Sequence, residues 1–282
     1  MKLGIIGYPI KHSISPKVHK ALLDFYGIEG DYLAFEVKPS DLRDAIVGAK
    51  ALGFDGLNVT IPYKEEVLKY VTPVGDAKFA VNTIDLRTMR GYNTDIYGVE
   101  MAFKNSKVDL KDKTALVIGA GGAGKAIAIA LLKMGATVVM TNRTVSRGLK
   151  AVDLLRSYGK CIFYPMEKIH ELKVDIIANA TPIGMEGFPG IPIKEEILKE
   201  GMIVFDAVYN PIETQLIKKA IERGCMVING LEMFVYQAAK AFEIWTGIKP
   251  NEEIIRETAL KALKVQKKSP SYVPGRETQK GD

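Results

Sequence analysis

A glycine-rich segment constrains the fold of this chain more than any other feature of its sequence. Gly119-Ala-Gly121-Gly-Ala-Gly124 directly follows the apolar run 114–118 and opens a helical pattern over 125–134. Glycines at this spacing permit a sharp turn and a close approach of the backbone to a pyrophosphate, whose charge is stabilised at the helix N-terminus. A glycine motif alone is weak evidence, but between a strand and a helix it predicts a dinucleotide-binding turn.

The rest of the chain alternates apolar runs typical of strands with amphipathic runs typical of helices. This alternation predicts an α/β protein with mainly parallel sheets. A chain of 282 residues is long enough for two hydrophobic cores. The charged segment 105–113 lacks apolar periodicity and is the best candidate for a linker between two domains.

The N-terminal part is predicted to contain strands, helices and one hairpin. Ser40 is expected to be the N-cap of the second helix. The strands are 3–6, 32–37 and 56–61, the helices are 16–25, 40–51 and 63–70, and the hairpin strands are 81–86 and 89–93.

A second series of strands begins at Thr114, with helical segments between successive strands. No predicted strand follows the last two helices, 232–245 and 252–264, so we expect them to pack on the first domain. The tail 266–282 is polar and contains prolines, which predicts disorder. The strands of the series are 114–118, 137–141, 161–164, 175–179, 203–206 and 226–228.

Composition and charge restrict the classes of function. Gly, Lys or Asp interrupts every apolar run, so none reaches the roughly 20 residues of a membrane span. The N-terminal apolar run is too short for a signal peptide. The net charge of +6 is spread over many helices, which favours anionic small molecules over nucleic acid. Cys161 and Cys225 are expected to be buried reduced thiols of a cytoplasmic protein.

The residues after the strand 137–141 distinguish between dinucleotides. An Asp or Glu usually accepts hydrogen bonds from the ribose 2′-hydroxyl of NAD at this point, but Thr141-Asn142-Arg143-Thr144-Val-Ser-Arg147 contains no carboxylate. Arg143 can stack on adenine or pair with a 2′-phosphate, and Arg147 lies one helical turn further. Cations are unfavourable at a helix N-terminus unless an anion binds there. We therefore predict NADP rather than NAD, against the alternative of a solvated basic helix start.

Two charged residues precede the nucleotide-binding turn. Lys64 ends Asn58-Val-Thr-Ile-Pro-Tyr-Lys64, and Asp95 ends Gly91-Tyr-Asn-Thr-Asp95. An ammonium and a carboxylate in such polar segments are suited to proton transfer. The alternatives are a solvated lysine and a helix N-cap. Asp95 is catalytic only if folding places it beside Lys64.

Polar residues at alternate positions suggest a ligand with several oxygens. Ser13 and Ser15 are two residues apart, and in an extended chain their hydroxyls face one site, although each could instead cap a helix. Asn58 and Thr60 alternate in the same manner, with Val59 on the opposite face. His12 lies in the same first loop, but a lone histidine in a turn is more often structural.

At these residues the chain resembles the shikimate dehydrogenase family. The similarity spans residues 1–240 in a consistent order. Its segments are Gly7-Tyr-Pro-Ile-Lys-His-Ser-Ile-Ser-Pro16, 58–64, Val81-Asn-Thr83, 91–98, 119–124, Asn142-Arg-Thr144, Asn179-Ala-Thr-Pro-Ile-Gly-Met185, Asp206-Ala-Val-Tyr-Asn-Pro211 and Gly230-Leu-Glu-Met-Phe-Val-Tyr-Gln237.

The resemblance implies roles for individual residues. Lys64 and Asp95 match the catalytic pair. The implied substrate ligands are Ser13, Ser15, Asn58, Thr60, Asn82, Tyr209 and Gln237. The implied NADP contacts are Gly119, Ala120, Gly121, Gly122, Ala123, Asn142, Arg143, Thr144, Arg147, Ala207, Gly230 and Met233.

The resemblance also implies an architecture and an activity. An open α/β substrate domain with a mostly parallel sheet, residues 1–104 plus 237–265, faces a Rossmann-type NADP domain, residues 105–236. The implied reaction is NADPH-dependent reduction of 3-dehydroshikimate to shikimate in aromatic amino-acid biosynthesis. We expect a cytoplasmic monomer or homodimer with a small-molecule substrate, and no nucleic-acid partner, membrane partner or metal.

Three alternatives stay open at this point. A paralogous enzyme could accept quinate, with NAD as an additional cofactor. A non-catalytic NADP-binding regulator could share the fold, although Lys64 and Asp95 argue against it. A folate-linked dehydrogenase of related architecture is disfavoured because it has no obvious use for the paired serines.

Overall fold

The computed structural model describes residues 1–11 and 13–266, which form two six-stranded sheets with helices packed against them. His12 and residues 267–282 lie outside the described part, so the predictions made for them stay predictions. Gln266, the first residue of the predicted tail, is the last residue of a helix.

The α-helices and strands alternate along most of the chain, as predicted. The strands are β1 (Lys2–Gly7), β2 (Asp31–Glu36), β3 (Gly56–Val59), β4 (Thr72–Pro73), β5 (Thr83–Asp85), β6 (Arg90–Tyr92), β7 (Thr114–Ile118), β8 (Thr137–Thr141), β9 (Cys161–Phe163), β10 (Ile176–Asn179), β11 (Ile203–Asp206) and β12 (Met226–Ile228). The helices are α1 (Ser15–Phe25), α2 (Leu42–Ala51), α3 (Thr94–Asn105), α4 (Gly122–Lys133), α5 (Val145–Leu155), α6 (Gln215–Glu222), α7 (Gly230–Thr246) and α8 (Glu252–Gln266).

The first sheet has the strand order β2-β1-β3-β5-β6-β4. β1 pairs in parallel with β2 and β3. β5 and β6 form the predicted hairpin, and β5 joins it to β3 in antiparallel orientation. The strands β1, β2 and β3, whose connections contain helices, are parallel, and β5 and β6, which a short turn joins, are antiparallel.

The second sheet is parallel throughout, with the order β12-β11-β10-β7-β8-β9. Because β7 is its first strand, this is the doubly wound 3-2-1-4-5-6 arrangement of a Rossmann domain. Strand order reverses between β7 and β10, and ligands of such sheets bind at the carboxyl ends of the strands there. The glycine-rich turn follows β7 and therefore lies at this switch point.

The two C-terminal helices return to the first sheet, as predicted. α7 packs along α3, and both α7 and α8 pack with α1. Together they cover one face of the sheet in a core that includes Leu3, Phe242 and Ile255. Trp245 anchors α7 there, since its buried indole N–H donates to the Ile84 carbonyl at 2.9 Å.

Two predicted helices begin differently in the structure. The segment 63–70 is a turn followed by a 3-10 helix over Glu66–Lys69. The Lys64 carbonyl accepts from the Val81 amide at 2.7 Å, so it is engaged by a neighbouring segment and not by a helical turn. Ser40 does not cap α2; it lies in a 3-10 turn, and its hydroxyl bonds the Asp41 carboxylate at 2.6 Å.

The prediction of helices between all strands of the second series was wrong at two connections. The β9–β10 connection contains a 3-10 helix over Met166–Glu171, and the β10–β11 connection contains another over Glu195–Ile197. In the second connection Thr181-Pro-Ile-Gly-Met-Glu-Gly-Phe-Pro-Gly-Ile-Pro192 explains the loss, because closely spaced prolines and glycines disfavour an α-helix.

Cys161 and Cys225 are buried and free, as predicted. Burial raises the pKa of the Cys161 thiol to about 12, so it stays protonated at neutral pH. Within residues 1–11 and 13–266, no helix is long and apolar enough to cross a bilayer.

His19 is completely buried in the core beneath β1 and β2. Its ring stacks on Tyr32 with centroids 4.5 Å apart, and neither ring nitrogen has a hydrogen-bond partner among the described residues. Burial lowers the pKa of His19 from 6.5 to about 3. Between about pH 3 and pH 6.5 the imidazole is therefore neutral in the folded protein and protonated in the unfolded chain.

We predict that this difference destabilises the protein in acid. Because the folded-state pKa is depressed, the unfolded state binds the extra proton below pH 6.5, and stability falls until about pH 3. At about pH 5 the loss is about 2 kcal/mol relative to pH 7.5. Urea unfolding of the wild type and of His19→Phe at both pH values measures this loss. On acidification, the free energy of unfolding of the variant should fall by about 2 kcal/mol less than that of the wild type. An identical pH dependence in both proteins would contradict the prediction.

Candidate active site

The carboxyl ends of both sheets meet at one cleft. Lys64 follows β3, and Gly122 opens α4 after β7. A Cβ built on Gly122 would lie 3.0 Å from the Cβ of Lys64. The candidate catalytic lysine therefore lies against the nucleotide-binding turn.

Folding places Lys64 beside Asp95, the condition on which the catalytic interpretation depended. The Lys64 Nζ lies 2.5 Å from Asp95 Oδ2, with 17% and 6% of the two side chains exposed. Asp95 is not the N-cap of α3; Asn93 is, because its side-chain oxygen accepts from the Asp95 amide at 3.2 Å. The Asp95 carboxylate is therefore free to hold the ammonium.

Asn82 fixes the second oxygen of Asp95. Its Nδ2 donates to Asp95 Oδ1 at 2.8 Å and to Thr94 Oγ1 at 2.9 Å, while its Oδ1 accepts from the Thr94 amide at 2.8 Å. Asn82 is 3% exposed. The amide of Asn82 thus ties the start of α3 to the strand hairpin and sets the orientation of the carboxylate.

Asn58 lies one strand away in the same polar layer. Its Nδ2 donates to the Asn82 carbonyl and to Thr83 Oγ1, and its Oδ1 accepts from the Tyr32 hydroxyl at 2.6 Å. Val59 belongs to the core on the opposite face, as the strand alternation predicted.

The serine pair remains together, but not in an extended chain. Ile14 has φ −90° and ψ −6°, which is helical, and Ser15 is the first residue of α1. The extended conformation that we expected for these residues was therefore wrong, because α1 begins one residue before Pro16. Ser13 Oγ accepts from the Ser15 amide at 3.3 Å, which keeps the two side chains at one helix end.

The remaining predicted substrate ligands lie on three further elements. Thr60 follows β3, and its methyl group packs directly against Gly7: a Cβ added to Gly7 would lie only 2.6 Å from it. Tyr209 packs on Phe234 with ring centroids 4.9 Å apart, and burial raises the pKa of Tyr209 to about 12. Gln237 on α7 contacts Gly98 one turn after Asp95 on α3.

The glycine-rich turn has the shape that a pyrophosphate requires. Gly119 has φ +106°, where side chains are disfavoured, and a Cβ on Gly124 would stand 2.0 Å from the Gly119 carbonyl oxygen. The N-cap residue Gly121 supplies no side chain to the first amides of α4. Those amides are therefore available to an anionic ligand, and the turn fits a dinucleotide.

The loop after β8 adjoins this turn. Asn142 Oδ1 accepts from the Ala120 amide at 3.1 Å, and Asn142 Nδ2 donates to the Thr144 carbonyl at 2.9 Å. Arg143 is exposed and pairs with no carboxylate among the described residues. Arg147 pairs with Glu65 at 3.1 Å across the cleft.

The last three predicted cofactor residues lie at the other side of the cleft. A Cβ on Gly230 would stand 2.6 Å from the Ala207 carbonyl oxygen, so α7 begins directly against the end of β11. Met233 lies one turn later in α7 and is 7% exposed. Ala207 and Gly230 therefore present mainly backbone at this site.

The sequence interpretation gave no role to Glu65, Tyr32, Thr83 or Asp206, which the structure places in or beside the site. Glu65 pairs with Arg147 and, at 2.9 Å, with the nearly buried Lys125 of α4. Asp206 accepts from Asn179 and Thr214 at the end of β11, and burial raises its pKa although these hydrogen bonds act to lower it. The position of Asn179 and Asp206 at carboxyl ends of parallel strands was the signal that could have identified them.

Three family models match the chain. A model described as the shikimate dehydrogenase substrate binding domain matches residues 5–84. One described as shikimate / quinate 5-dehydrogenase matches residues 100–184, and one described as the shikimate 5′-dehydrogenase C-terminal domain matches residues 230–260.

Individual relatives match over most of their lengths. A protein of Archaeoglobus fulgidus named shikimate dehydrogenase (NADP(+)) is 59% identical over 93% of this chain and 98% of its own. Shikimate 5-dehydrogenase of Thermus thermophilus, solved with NADP(H) and shikimate, is 32% identical over 93% of this chain and 99% of its own, with a TM-score of 0.83. Quinate dehydrogenase of Corynebacterium glutamicum, solved with NAD, is 31% identical over the same shares, with a TM-score of 0.85.

The chain has an ion pair at the cleft and a doubly wound second sheet. It is also 59% identical to a named shikimate dehydrogenase over nearly the whole length of that relative. The chain belongs to the shikimate dehydrogenase family.

Proposed function

We propose that this protein reversibly reduces 3-dehydroshikimate to shikimate with NADPH, a step in the synthesis of aromatic amino acids. The observation that carries the proposal is the Lys64–Asp95 ion pair, 2.5 Å long, lying against the glycine-rich turn. A relative with 59% identity carries the name of this NADP-dependent activity.

The chemistry of the pair follows from its charges. Bound NADPH supplies a hydride to the carbonyl carbon of the substrate. Lys64, as the ammonium, stabilises the negative charge that develops on the carbonyl oxygen and donates a proton to that oxygen. Asp95 holds the Lys64 ammonium in place through Oδ2, and Asn82 fixes Asp95 through Oδ1.

The remaining predicted ligands are proposed to recognise the ring. Ser13, Ser15, Asn58, Thr60, Tyr209 and Gln237 offer hydroxyl and amide groups to a polyhydroxylated carboxylic acid. The α4 amides are proposed to hold the cofactor pyrophosphate, and Arg143 its 2′-phosphate. Arg147, which also pairs with Glu65, is proposed as a second contact to that phosphate.

We further propose that the enzyme acts in the cytoplasm, as a monomer or a homodimer. The free buried thiols Cys161 and Cys225 support a reducing compartment.

Initial rates with shikimate and quinate, each with NADP and with NAD, test the proposed reaction. We expect shikimate with NADP to give the highest kcat/KM. A preference for quinate with NAD would favour the alternative, for which the likeness to quinate dehydrogenase of C. glutamicum is the supporting observation. Cofactor binding without turnover of either substrate would favour a regulator.

Lys64→Ala tests the proton donor. Loss of a general acid lowers rates by about 10²–10⁴-fold, so kcat should fall by that factor while the KM for shikimate changes little. Lys69→Ala is the matched control, because Lys69 belongs to the same segment but is exposed and pairs with Glu66. A Lys64→Ala enzyme with a kcat close to that of wild type would remove Lys64 from the chemistry.

Arg143→Ala tests the recognition of the 2′-phosphate. A lost hydrogen bond to a charged group costs about 1.5–3 kcal/mol, so the Kd for NADPH should rise about 10- to 100-fold while that for NADH changes little. Arg156→Ala provides a control, since Arg156 is exposed at the far end of α5 and pairs with Asp153. Equal losses for the two cofactors would contradict the assignment.

A further inference from the structure

We infer that Tyr32 is a positioning residue for the substrate pocket: its hydroxyl fixes Asn58 as an acceptor for a substrate hydroxyl. This inference deepens the proposed function and rests on it, because Asn58 is a proposed substrate ligand.

The Tyr32 hydroxyl links two separate elements. The hydroxyl belongs to a residue of β2 and donates to Asn58 Oδ1 on β3 at 2.6 Å. Tyr32 and Asn58 are only 3% and 5% exposed. Water therefore has little access to compete for the Tyr32–Asn58 bond, and the phenol holds the Asn58 side chain in one position.

The hydrogen bonds of Asn58 leave one lone pair of its side-chain oxygen for a ligand. An Asn side chain has two N–H donors and two lone pairs on its oxygen. Both donors of Asn58 are used, one on the Asn82 carbonyl at 3.0 Å and one on Thr83 Oγ1 at 2.9 Å. The Asn82 carbonyl can only accept, so the amide cannot flip without losing that bond. With one lone pair taken by Tyr32, the second is what remains for a ligand, and it binds a hydroxyl that donates.

Aromatic packing holds the phenol in place. His19 stacks on Tyr32 with an interplanar angle of 10°, and Trp245 lies at 6.2 Å with an angle of 52°. Trp245 is itself fixed by its bond to the Ile84 carbonyl. Burial raises the pKa of Tyr32, so its hydroxyl stays protonated and remains a donor to Asn58. The buried imidazole of His19 thus serves as a flat support for the Tyr32 ring.

Tyr32→Phe removes the hydroxyl and keeps the ring. We expect the KM for shikimate to rise about 10-fold, which is about 1.4 kcal/mol, while kcat and the KM for NADP stay within about 2-fold of wild type. Tyr26→Phe is the matched control: Tyr26 also lies in the first domain, at the C-terminal end of α1, and its hydroxyl accepts from the Asn251 amide at 2.9 Å. The control should leave all three constants unchanged.

Two results would overturn the inference. One is an unchanged KM for shikimate in Tyr32→Phe. The other is a parallel loss of kcat and NADP binding, which a merely structural role would produce. Failure of the proposed function is distinct from both, because the wild type would then not turn over shikimate at all.

Substrate analogues test the acceptor role of Asn58 on the wild type, without dependence on a variant. Fluorine replaces a hydroxyl in size but cannot donate. One non-reacting ring hydroxyl of shikimate is inferred to donate to Asn58. Replacing that hydroxyl with fluorine should therefore weaken binding as much as removing it. If every fluoro analogue bound as tightly as shikimate, no ring hydroxyl would donate to Asn58 and the inference would fail.

Discussion

The ion pair between Lys64 and Asp95 is the interaction on which the rest of the site depends. A partly buried ammonium and carboxylate are costly to desolvate and persist only when paired and hydrogen-bonded. Here Lys64 neutralises Asp95, and Asn82 satisfies the other carboxylate oxygen at 2.8 Å. The Thr94 amide in turn fixes Asn82. One continuous polar layer therefore runs from the ammonium through the start of α3 to the hairpin strand β5, and through Asn58 to Tyr32.

The second constraint is the close approach of the two sheets. Gly122 stands against Lys64, so a side chain there would separate the turn from the lysine. Glu65, the next residue, pairs with Lys125 on α4 and Arg147 on α5. At another edge of the contact, Lys133 of α4 pairs with Asp76 at 2.9 Å. The cleft thus places Lys64 and the glycine-rich turn on facing surfaces.

Much of this arrangement could be predicted from local sequence. The glycine-rich turn after an apolar strand identified the Rossmann domain, since the strand, the turn and the helix that define it are close together in the chain. Lys64 was assigned to a helix that does not form, because its carbonyl bonds Val81, a partner that no local pattern reveals. Tyr32 reads as an ordinary strand residue, and its role depends on Asn58, 26 residues away. Glu65 lies near the start of the predicted helix 63–70, where an acidic residue is ordinary, so no local pattern reveals its contacts across the cleft.

A crystal structure with NADP and shikimate bound tests the central claim most directly, because it locates the reacting hydroxyl relative to the ion pair. The account predicts that Lys64 Nζ hydrogen-bonds the hydroxyl whose carbon faces the nicotinamide. The Asp95 carboxylate should lie within hydrogen-bonding distance of the same part of the shikimate ring. A structure in which that hydroxyl meets another donor, with Lys64 directed away from the substrate, would contradict it.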